Sequence, residues 1–122
     1  MSVELNHTIV WATDREASAE FLAGILGLPV GPVDGPFRPL PVANGVTLDF
    51  ATAEGKVHGQ HYAFLVGDRE FDAALSRLRV AGVAFWADPF HRMPGEINHE
   101  AGGRGVYFAD PDGHNMELLT RA

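Results

Sequence analysis

The sequence predicts an α+β fold built from two tandem copies of one structural unit. The first observation is a repeat: His7 begins the stretch HTIVWATDRE and His61 begins HYAFLVGDRE, so that a histidine is followed after six residues by Asp-Arg-Glu in both. The second is that a segment with helical spacing follows each Asp-Arg-Glu and ends at a glycine, Gly27 or Gly82. The third is that strand-like stretches follow each predicted helix. Each half is therefore expected to contain a strand, a helix and further strands.

Both predicted helices carry boundary signals. Asp14 and Asp68 are predicted N-caps, because a carboxylate oxygen can accept a hydrogen bond from the free N–H groups of a first helical turn. Gly27 and Gly82 are predicted to adopt the left-handed conformation that closes a helix. The apolar faces, which follow helical spacing, consist of Ala17, Phe21, Leu22 and Ile25 in the first helix and of Phe71, Ala74, Leu75 and Leu78 in the second.

Short strands complete each half. The last two strands flank Asp110-Pro111-Asp112-Gly113, a turn sequence in which proline presets φ and glycine accepts a positive φ. The predicted strands after the helices are residues 46–51 in the first half and residues 84–88, 104–109 and 115–120 in the second.

The polar, glycine-bearing residues 52–60 are expected to link the halves. Residues 1–122 are accordingly expected to be a single domain, with one module at about 1–52 and the other at about 60–122. A unit of roughly 60 residues buries only a marginal core. The two sheets are therefore expected to pack together, within the chain or across a dimer.

Composition excludes several classes of protein. The chain has no cysteine, which excludes disulfides, thiolate zinc sites, iron–sulfur clusters and a cysteine nucleophile. Lys and Arg number 9 against 16 Asp and Glu, so the net charge is −7, and an acidic surface repels nucleic acid. No apolar run approaches the roughly 20 residues that span a bilayer, and MSVELNHTIV lacks the pattern of a signal peptide. A cytoplasmic protein without a nucleic-acid or membrane partner is expected.

The repeat brings histidines and carboxylates to equivalent positions. Each half begins with a strand histidine, His7 or His61, and ends with a strand carboxylate, Asp49 or Glu117, four residues after a glycine. Imidazole and carboxylate together suit divalent Fe, Mn, Ni, Co or Zn, and such a set leaves positions open for substrate. Taken singly, each residue is better explained as a partly buried histidine or a solvent-facing carboxylate. The symmetric set favours a metal site.

The motifs LNHTIV, HYAFLV and GVYFADPDGHNMELLT, with the helix that ends at LGL, resemble the vicinal oxygen chelate superfamily over essentially the whole chain. That superfamily includes glyoxalases, extradiol ring-cleaving dioxygenases, fosfomycin-modifying enzymes and bleomycin-binding proteins. The resemblance implies two tandem βαβββ modules that form a curved mixed sheet around a metal-binding cup. It also implies one divalent metal ion on His7, His61 and Glu117. Asp49 falls where glyoxalases supply a fourth ligand, so direct binding and the orientation of a water or a ligand histidine both stay open.

The resemblance implies an enzyme whose metal ion is chelated by two adjacent oxygens of a small-molecule substrate. An extradiol-dioxygenase-like protein with Fe(II) is the first hypothesis, with Mn, Ni, Co and Zn as other candidate ions. A glyoxalase-like isomerase or lyase and a metal-free, bleomycin-type binding protein are the alternatives. A fosfomycin thiol transferase ranks lower, because the chain ends soon after Glu117. The resemblance further implies a homodimer in which one site takes residues from both subunits.

Residues 89–103 form a long irregular stretch with two prolines and three glycines, and are expected to form a lid over the metal cup. Tyr107 or His99 is expected to act as a general acid or hydrogen-bond donor near the metal. Arg104 is expected either to clamp an anionic substrate oxygen or to pair with a surface carboxylate. The other polar candidates of this stretch are His91 and Asn98, which exposure to solvent explains equally well.

Apolar residues next to the first histidine suggest a wall for the substrate. Ile9 and Trp11 share a strand face with His7 by alternation, so they either line the cup or belong to the ordinary core. His58 and His114 lie in polar turn contexts and are assigned no role.

Overall fold

A computed structural model describes residues 2–122 of the chain. Its helices and strands are, in chain order, β1 (His7–Ala12), α1 (Arg15–Leu26), β2 (Phe37–Pro41), β3 (Thr47–Thr52), β4 (His61–Leu65), α2 (Asp68–Val80), β5 (Phe85–Trp86), β6 (Gly105–Ala109) and β7 (Asn115–Leu119). A single turn of 3-10 helix covers Glu100–Gly102. Within the described part of the chain, no helix is long and apolar enough to cross a membrane.

The strands form two mixed sheets that repeat one plan. In the first sheet, of order β1-β3-β2, β1 runs parallel to β3 and β2 runs antiparallel to it. In the second sheet, of order β4-β7-β6-β5, β4 runs parallel to β7, and the remaining pairs are antiparallel. The predicted α+β fold of two tandem modules is confirmed. The strands that begin with the repeated histidines, β1 and β4, each lie at an edge of their sheet.

The first module has one strand fewer than the second. Residues 28–36, which follow α1 as β5 follows α2, contain three prolines and form only a single bridge between Asp34 and Phe37. Proline has no N–H to donate to a neighbouring strand, which explains the missing element. The sequence prediction also missed β2, which itself contains Pro39 and Pro41. Both prolines are tolerated because β2 lies at the edge of its sheet.

One face of the sheets belongs to the core. Helix α1 packs on the first sheet and on α2, and the apolar side of α2 joins the same cluster of buried side chains. Alternate strand residues point into this cluster; Val10, Phe50, Phe108 and Leu118 are fully buried there. The intervening strand residues lie on the opposite face, which we call the open face. It carries His7, Ile9, Trp11 and Asp49 in the first sheet and His61, Tyr107, Asn115 and Glu117 in the second.

The helix boundaries follow the sequence signals with one exception. Asp14 caps α1, because its side chain accepts hydrogen bonds from two N–H groups of the first turn. Gly27 closes α1 with φ of 72°, and Gly82, just beyond α2, has φ of 68°. The prediction of Asp68 as an N-cap was wrong. The cap of α2 is Gly67, which has no side chain, and the Asp68 carboxylate pairs with an arginine instead.

The predicted face of α1 was wrong at one position. Ala17 is exposed, whereas Ser18 and Ala19 are buried beside Leu22 and Ile25. The polar Ser18 is drawn inward because its hydroxyl donates to a carboxylate of the second module. The face predicted for α2 is confirmed, since Phe71, Ala74, Leu75 and Leu78 are all buried.

The turn before β7 joins the two modules. Asp112 Oδ1 accepts hydrogen bonds from the backbone N–H and the hydroxyl of Thr13, at 3.0 and 2.6 Å. Its Oδ2 accepts from the hydroxyl of Ser18 at 3.0 Å. Burial alone would raise the pKa of Asp112, but the hydrogen bonds from Thr13 and Ser18 hold it below its ordinary value. This charged carboxylate therefore attaches the second module to the start of α1.

A buried histidine makes a second connection between the modules. His114 is fully buried, its Nδ1 accepts from the backbone N–H of Gln60 at 3.0 Å, and its Nε2 lies 2.7 Å from the carbonyl oxygen of Trp11. Because the N–H of Gln60 can only donate, Nδ1 is the unprotonated nitrogen and Nε2 donates to Trp11. The ring also packs edge-on against Tyr62. The sequence analysis assigned His114 no role, and the structure corrects this: the imidazole links β1 to the linker and to β7.

Candidate metal centre

A histidine and a glutamate converge on the open face of the second sheet. His61 begins β4 and Glu117 lies in β7; the parallel register pairs Ala63 with Glu117, which brings the two side chains together. His61 Nε2 and Glu117 Oε1 are 2.9 Å apart. The histidine side chain is 47% exposed and the carboxylate 15%, so the pair lies at a surface that is open on the histidine side.

Tyr107 supports this pair from the neighbouring strand. It is paired with Glu117 across β6 and β7, it is buried, and its ring centroid lies 5.8 Å from that of His61. Burial, followed by the negative charge of Glu117 and the hydrogen bond to it, raises the pKa of Tyr107 to about 12. The phenol therefore stays protonated at neutral pH and donates its hydrogen bond to the carboxylate.

The first module holds the matching residues on its own sheet. His7 is exposed at the start of β1, where its Nδ1 lies 2.8 Å from the side-chain oxygen of Asn6. Asp49 is paired with Ile9 on the same open face and is half-buried. Among residues 2–122, no three histidine or carboxylate side chains come close enough to share an ion. One chain thus brings His61 and Glu117 together and keeps His7 apart from them.

Arg104 and His99 lie in different surroundings. The guanidinium of Arg104 donates to the carboxylates of Asp72 and Asp68, at 2.6 and 3.1 Å, and lies over the ring of Phe71. These contacts correspond to the second alternative that the sequence left open, pairing with surface carboxylates. His99 is exposed and precedes the 3-10 turn. The substrate contacts of both residues stay predictions.

Part of the expected lid lies beside the histidine–glutamate pair. We call residues 87–98 the covering loop; it leaves β5 and turns back over the open face. The carbonyl oxygen of Pro89 accepts a hydrogen bond from Asn115, at 3.1 Å, and the ring of His91 lies 2.9 Å from the same side chain. Asn115 is the register partner of His61. The movement expected of a lid stays a prediction.

Two cavities meet at the edge strands of the two sheets. The larger has a volume of about 800 Å³ and is lined by Ile9, Trp11 and His61, together with residues of the linker. The smaller, of about 450 Å³, is lined by His61 and Leu65, together with residues around the start of β3. Ile9 and Trp11 therefore line a cavity that contains the candidate ligand His61. That they form a wall for a substrate stays a prediction.

Comparison with known proteins defines the class. The model of the Glyoxalase/Bleomycin resistance protein/Dioxygenase superfamily matches residues 4–118, and the chain belongs to that superfamily. The resemblance inferred from the sequence motifs is confirmed. Together with the relatives described next, this membership supports an enzyme of the vicinal oxygen chelate class.

Three relatives cover nearly the whole chain. The solved structure of Oxidase ChaP-H2 is 59% identical, with a TM-score of 0.97 over 100% of this chain and 96% of that one. Oxidase ChaP-H1 is 61% identical, with a TM-score of 0.97 over 99% of this chain and 98% of that one. Glutathione transferase FosA from Serratia marcescens is 31% identical over 97% of this chain and 81% of its own length.

Proposed function

We propose that the chain is a metal-dependent vicinal oxygen chelate enzyme that oxidises a small molecule bound through two adjacent oxygens, in the manner of an extradiol dioxygenase. The observation that carries this proposal is the pair formed by the His61 imidazole and the Glu117 carboxylate, 2.9 Å apart on the open face. Fe(II) is the favoured ion, and Mn, Ni, Co and Zn are the alternatives.

The donor chemistry of the pair fits a divalent ion. Nitrogen and oxygen ligands that bind a metal at about 2.1 Å, and at a right angle to each other, lie about 3 Å apart. The His61 and Glu117 atoms have this separation. With His7 as the third ligand, the set has two histidines and one carboxylate and leaves positions free for substrate. When bound, the ion would polarise the substrate oxygens as a Lewis acid and, as Fe(II), support chemistry with dioxygen.

We infer that His7 reaches the pair from a second copy of the chain. His7 and His61 start β1 and β4, which are edge strands of different sheets. These strands expose the apolar side chains of Ile9, Trp11 and Leu65, and edge strands of this kind pair readily with another chain. A symmetric dimer would build two identical sites, each with His7 of one subunit and His61 and Glu117 of the other.

The side chains around the pair suit a partly apolar ligand. Tyr107 lies beside Glu117 in the register of β6 and β7, where its protonated phenol would orient the carboxylate of a metal ligand. Ile9 and Trp11 supply an apolar wall beside His61. A substrate that packs against that wall would displace water, which would strengthen the interaction of polar groups with the substrate oxygens.

An oxidising reaction is favoured over the alternatives by the relatives that are named oxidases, at 59% and 61% identity over nearly the whole chain. A glyoxalase-like isomerase or lyase, which would use the same metal ligands, remains one alternative. A binding protein that holds no metal ion is the other. The relative that is named a glutathione transferase, at 31% identity, adds thiol transfer as an outcome to be tested. Dioxygen consumption separates the oxidising reaction from all three.

The first test is metal content, measured by elemental analysis on protein purified without a histidine tag. We expect about one divalent ion per chain in the wild type, and strong loss of it in His61→Ala and Glu117→Ala, because each variant removes one of three ligands. His58→Ala, an exposed histidine outside the set, is the matched control and should keep its ion. A wild type that holds no divalent ion after reconstitution would contradict the proposal and favour sequestration of a ligand.

A further inference from the structure

The peptide that precedes His61 is held from both sides. The N–H of Gln60 donates to Nδ1 of the His114 ring at 3.0 Å, and the carbonyl oxygen of Gln60 accepts from the backbone N–H of Asn115 at 2.8 Å. His61 follows directly as the first residue of β4. Because β4 lies at the edge of its sheet next to β7, these two bonds determine the direction in which the chain enters the strand.

The residue before this peptide packs tightly on the turn that carries His114. A Cβ at Gly59 would lie 3.0 Å from the carbonyl oxygen of Gly113, which directly precedes His114. Such a close approach of two backbone segments favours glycine, because glycine has no side chain. The end of the linker is therefore fitted closely to this turn.

The ring of His114 is itself held in one place. Its side chain is fully buried, and Tyr62 packs edge-on against it with ring centroids 5.6 Å apart. Nε2 donates to the carbonyl oxygen of Trp11 at 2.7 Å. The backbone N–H of His114 donates to Asp110 Oδ1 at 2.8 Å. With these contacts, the ring presents Nδ1 to the N–H of Gln60 in a fixed orientation.

The imidazole thereby connects the three strands that carry the candidate metal ligands. It bonds to β1 at Trp11, four residues after His7, and to the residue directly before His61 and β4. His114 itself directly precedes β7 and lies three residues before Glu117. Both ring nitrogens bond to backbone groups, so the imidazole can act on the metal ligands through the backbone.

We propose that His114 is a positioning residue of the metal centre, which acts through the Gln60 peptide to place His61 beside Glu117. Its Nδ1 hydrogen bond holds the two ligands at the separation that a divalent ion requires, so that the backbone need not rearrange when the ion binds. This inference rests on the proposed function, in which His61 and Glu117 bind the ion. Removing a group that orients a metal ligand weakens metal binding by about 10–100-fold, and we expect the lower end of this range because His114 acts through a peptide.

The test measures the affinity of the metal-free protein for Co(II), by competition with a chromophoric chelator, and the visible absorption spectrum of the bound ion. His114→Leu keeps a similar side-chain volume and removes both ring nitrogens. At a temperature where the variant is folded, we expect its affinity for Co(II) to fall about tenfold and the spectrum, which reports ligand geometry, to change.

Leu22→Ala is the matched control for lost stability. Leu22 is fully buried in the core and takes no part in these hydrogen bonds. Because a large side chain is truncated, the variant should be destabilised about as much as His114→Leu. Its affinity for Co(II) and the spectrum of the bound ion should stay those of the wild type.

Two amide variants separate the roles of the two ring nitrogens. In His114→Asn the amide oxygen takes the place of Nδ1 and can accept from Gln60, whereas in His114→Gln the longer amide reaches towards Trp11 and leaves the N–H of Gln60 without its acceptor. We expect His114→Asn to recover most of the affinity for Co(II) and His114→Gln to stay about tenfold weaker than the wild type. In the metal-free protein, the Gln60 amide should be protected from hydrogen exchange in the wild type and in His114→Asn, and unprotected in His114→Gln.

Each outcome decides the inference. If His114→Leu loses no more affinity than Leu22→Ala does, His114 has a structural role alone, and the inference fails while the proposed function stands. The inference also fails if His114→Asn and His114→Gln bind Co(II) equally, or if the Gln60 amide of the wild type exchanges freely. If the wild type does not bind Co(II), the proposed function fails with it. Should His114→Leu not fold, the comparison of the two amide variants decides.

Discussion

The strongest prediction on stability concerns His114, the buried histidine between the modules. His114→Leu keeps a similar side-chain volume and removes both hydrogen bonds, so the Trp11 carbonyl and the Gln60 N–H lose their partners. A buried polar group without a partner destabilises a protein by about 1–3 kcal/mol. Two such groups, partly compensated by water at the less buried Gln60, predict a loss of about 2–4 kcal/mol in the free energy of unfolding. That is a large part of the roughly 5–15 kcal/mol typical of a domain.

Urea unfolding followed by circular dichroism measures this loss. With a slope of about 1.5 kcal/mol per molar urea, the midpoint should fall by about 2 M. The control is His58→Leu at an exposed position, for which we expect a change within about 0.5 kcal/mol. A loss below about 1 kcal/mol in His114→Leu would refute the reasoning, because it would mean that the two hydrogen bonds contribute little beyond those made with water.

Three further predictions test the site and the fold. If each site is shared between subunits, mixing dissociated His7→Ala and Glu117→Ala proteins should restore metal binding to about one quarter of the sites, since half of the dimers are mixed and each has one intact site; no recovery would contradict a shared site. In the metal-free protein, Tyr107 should ionise near pH 12, and Glu117→Gln should lower that midpoint in a spectroscopic titration, because a negative charge that opposes ionisation is removed. Gly27→Ala should destabilise by about 1 kcal/mol or more, because φ is 72° and a Cβ would lie 2.6 Å from a guanidinium nitrogen. At Gly24 in the same helix, an added Cβ would have no neighbour within 4 Å, so Gly24→Ala should stabilise the protein by roughly 0.5–1 kcal/mol. If the two variants change the melting temperature equally, the roles given to Gly27 and Gly24 are wrong.

The repeat made the fold accessible from the sequence. His7 and His61 do start equivalent edge strands, and the carboxylates Asp49 and Glu117 do lie on the strands that pair with them. Periodicity and turn chemistry are local properties, and they were sufficient for both helices and for the strands rich in apolar residues. β2 could not be predicted from local patterns, because it contains two prolines. They are tolerated only because β2 lies at the edge of its sheet, which the sequence does not show.

The parts of the site that sequence reasoning missed are those set by distant contacts. Ser18 and His114 have partners in the other module, and no local pattern reveals them. The turn Asp110-Pro-Asp-Gly-His did contain a signal that it contacts other parts of the chain. It has two carboxylates and a histidine, which is more polar side chains than the turn itself requires. His91 was one of the polar candidates of its stretch, but neither its positive φ nor its stacking on Trp86 can be inferred from residue types.

The covering loop combines a backbone held by hydrogen bonds with exposed side chains at its tip. Its backbone is held by Asp88, while the tip side chains of Phe90 and Met93 are 75% and 47% exposed. Mutations at these two tips can change the outline that a substrate meets and leave the loop backbone and the metal-ligand candidates untouched. Under the proposed function, substitutions at Phe90 and Met93 would change which substrates are accepted, while the reaction at the metal ion would stay the same.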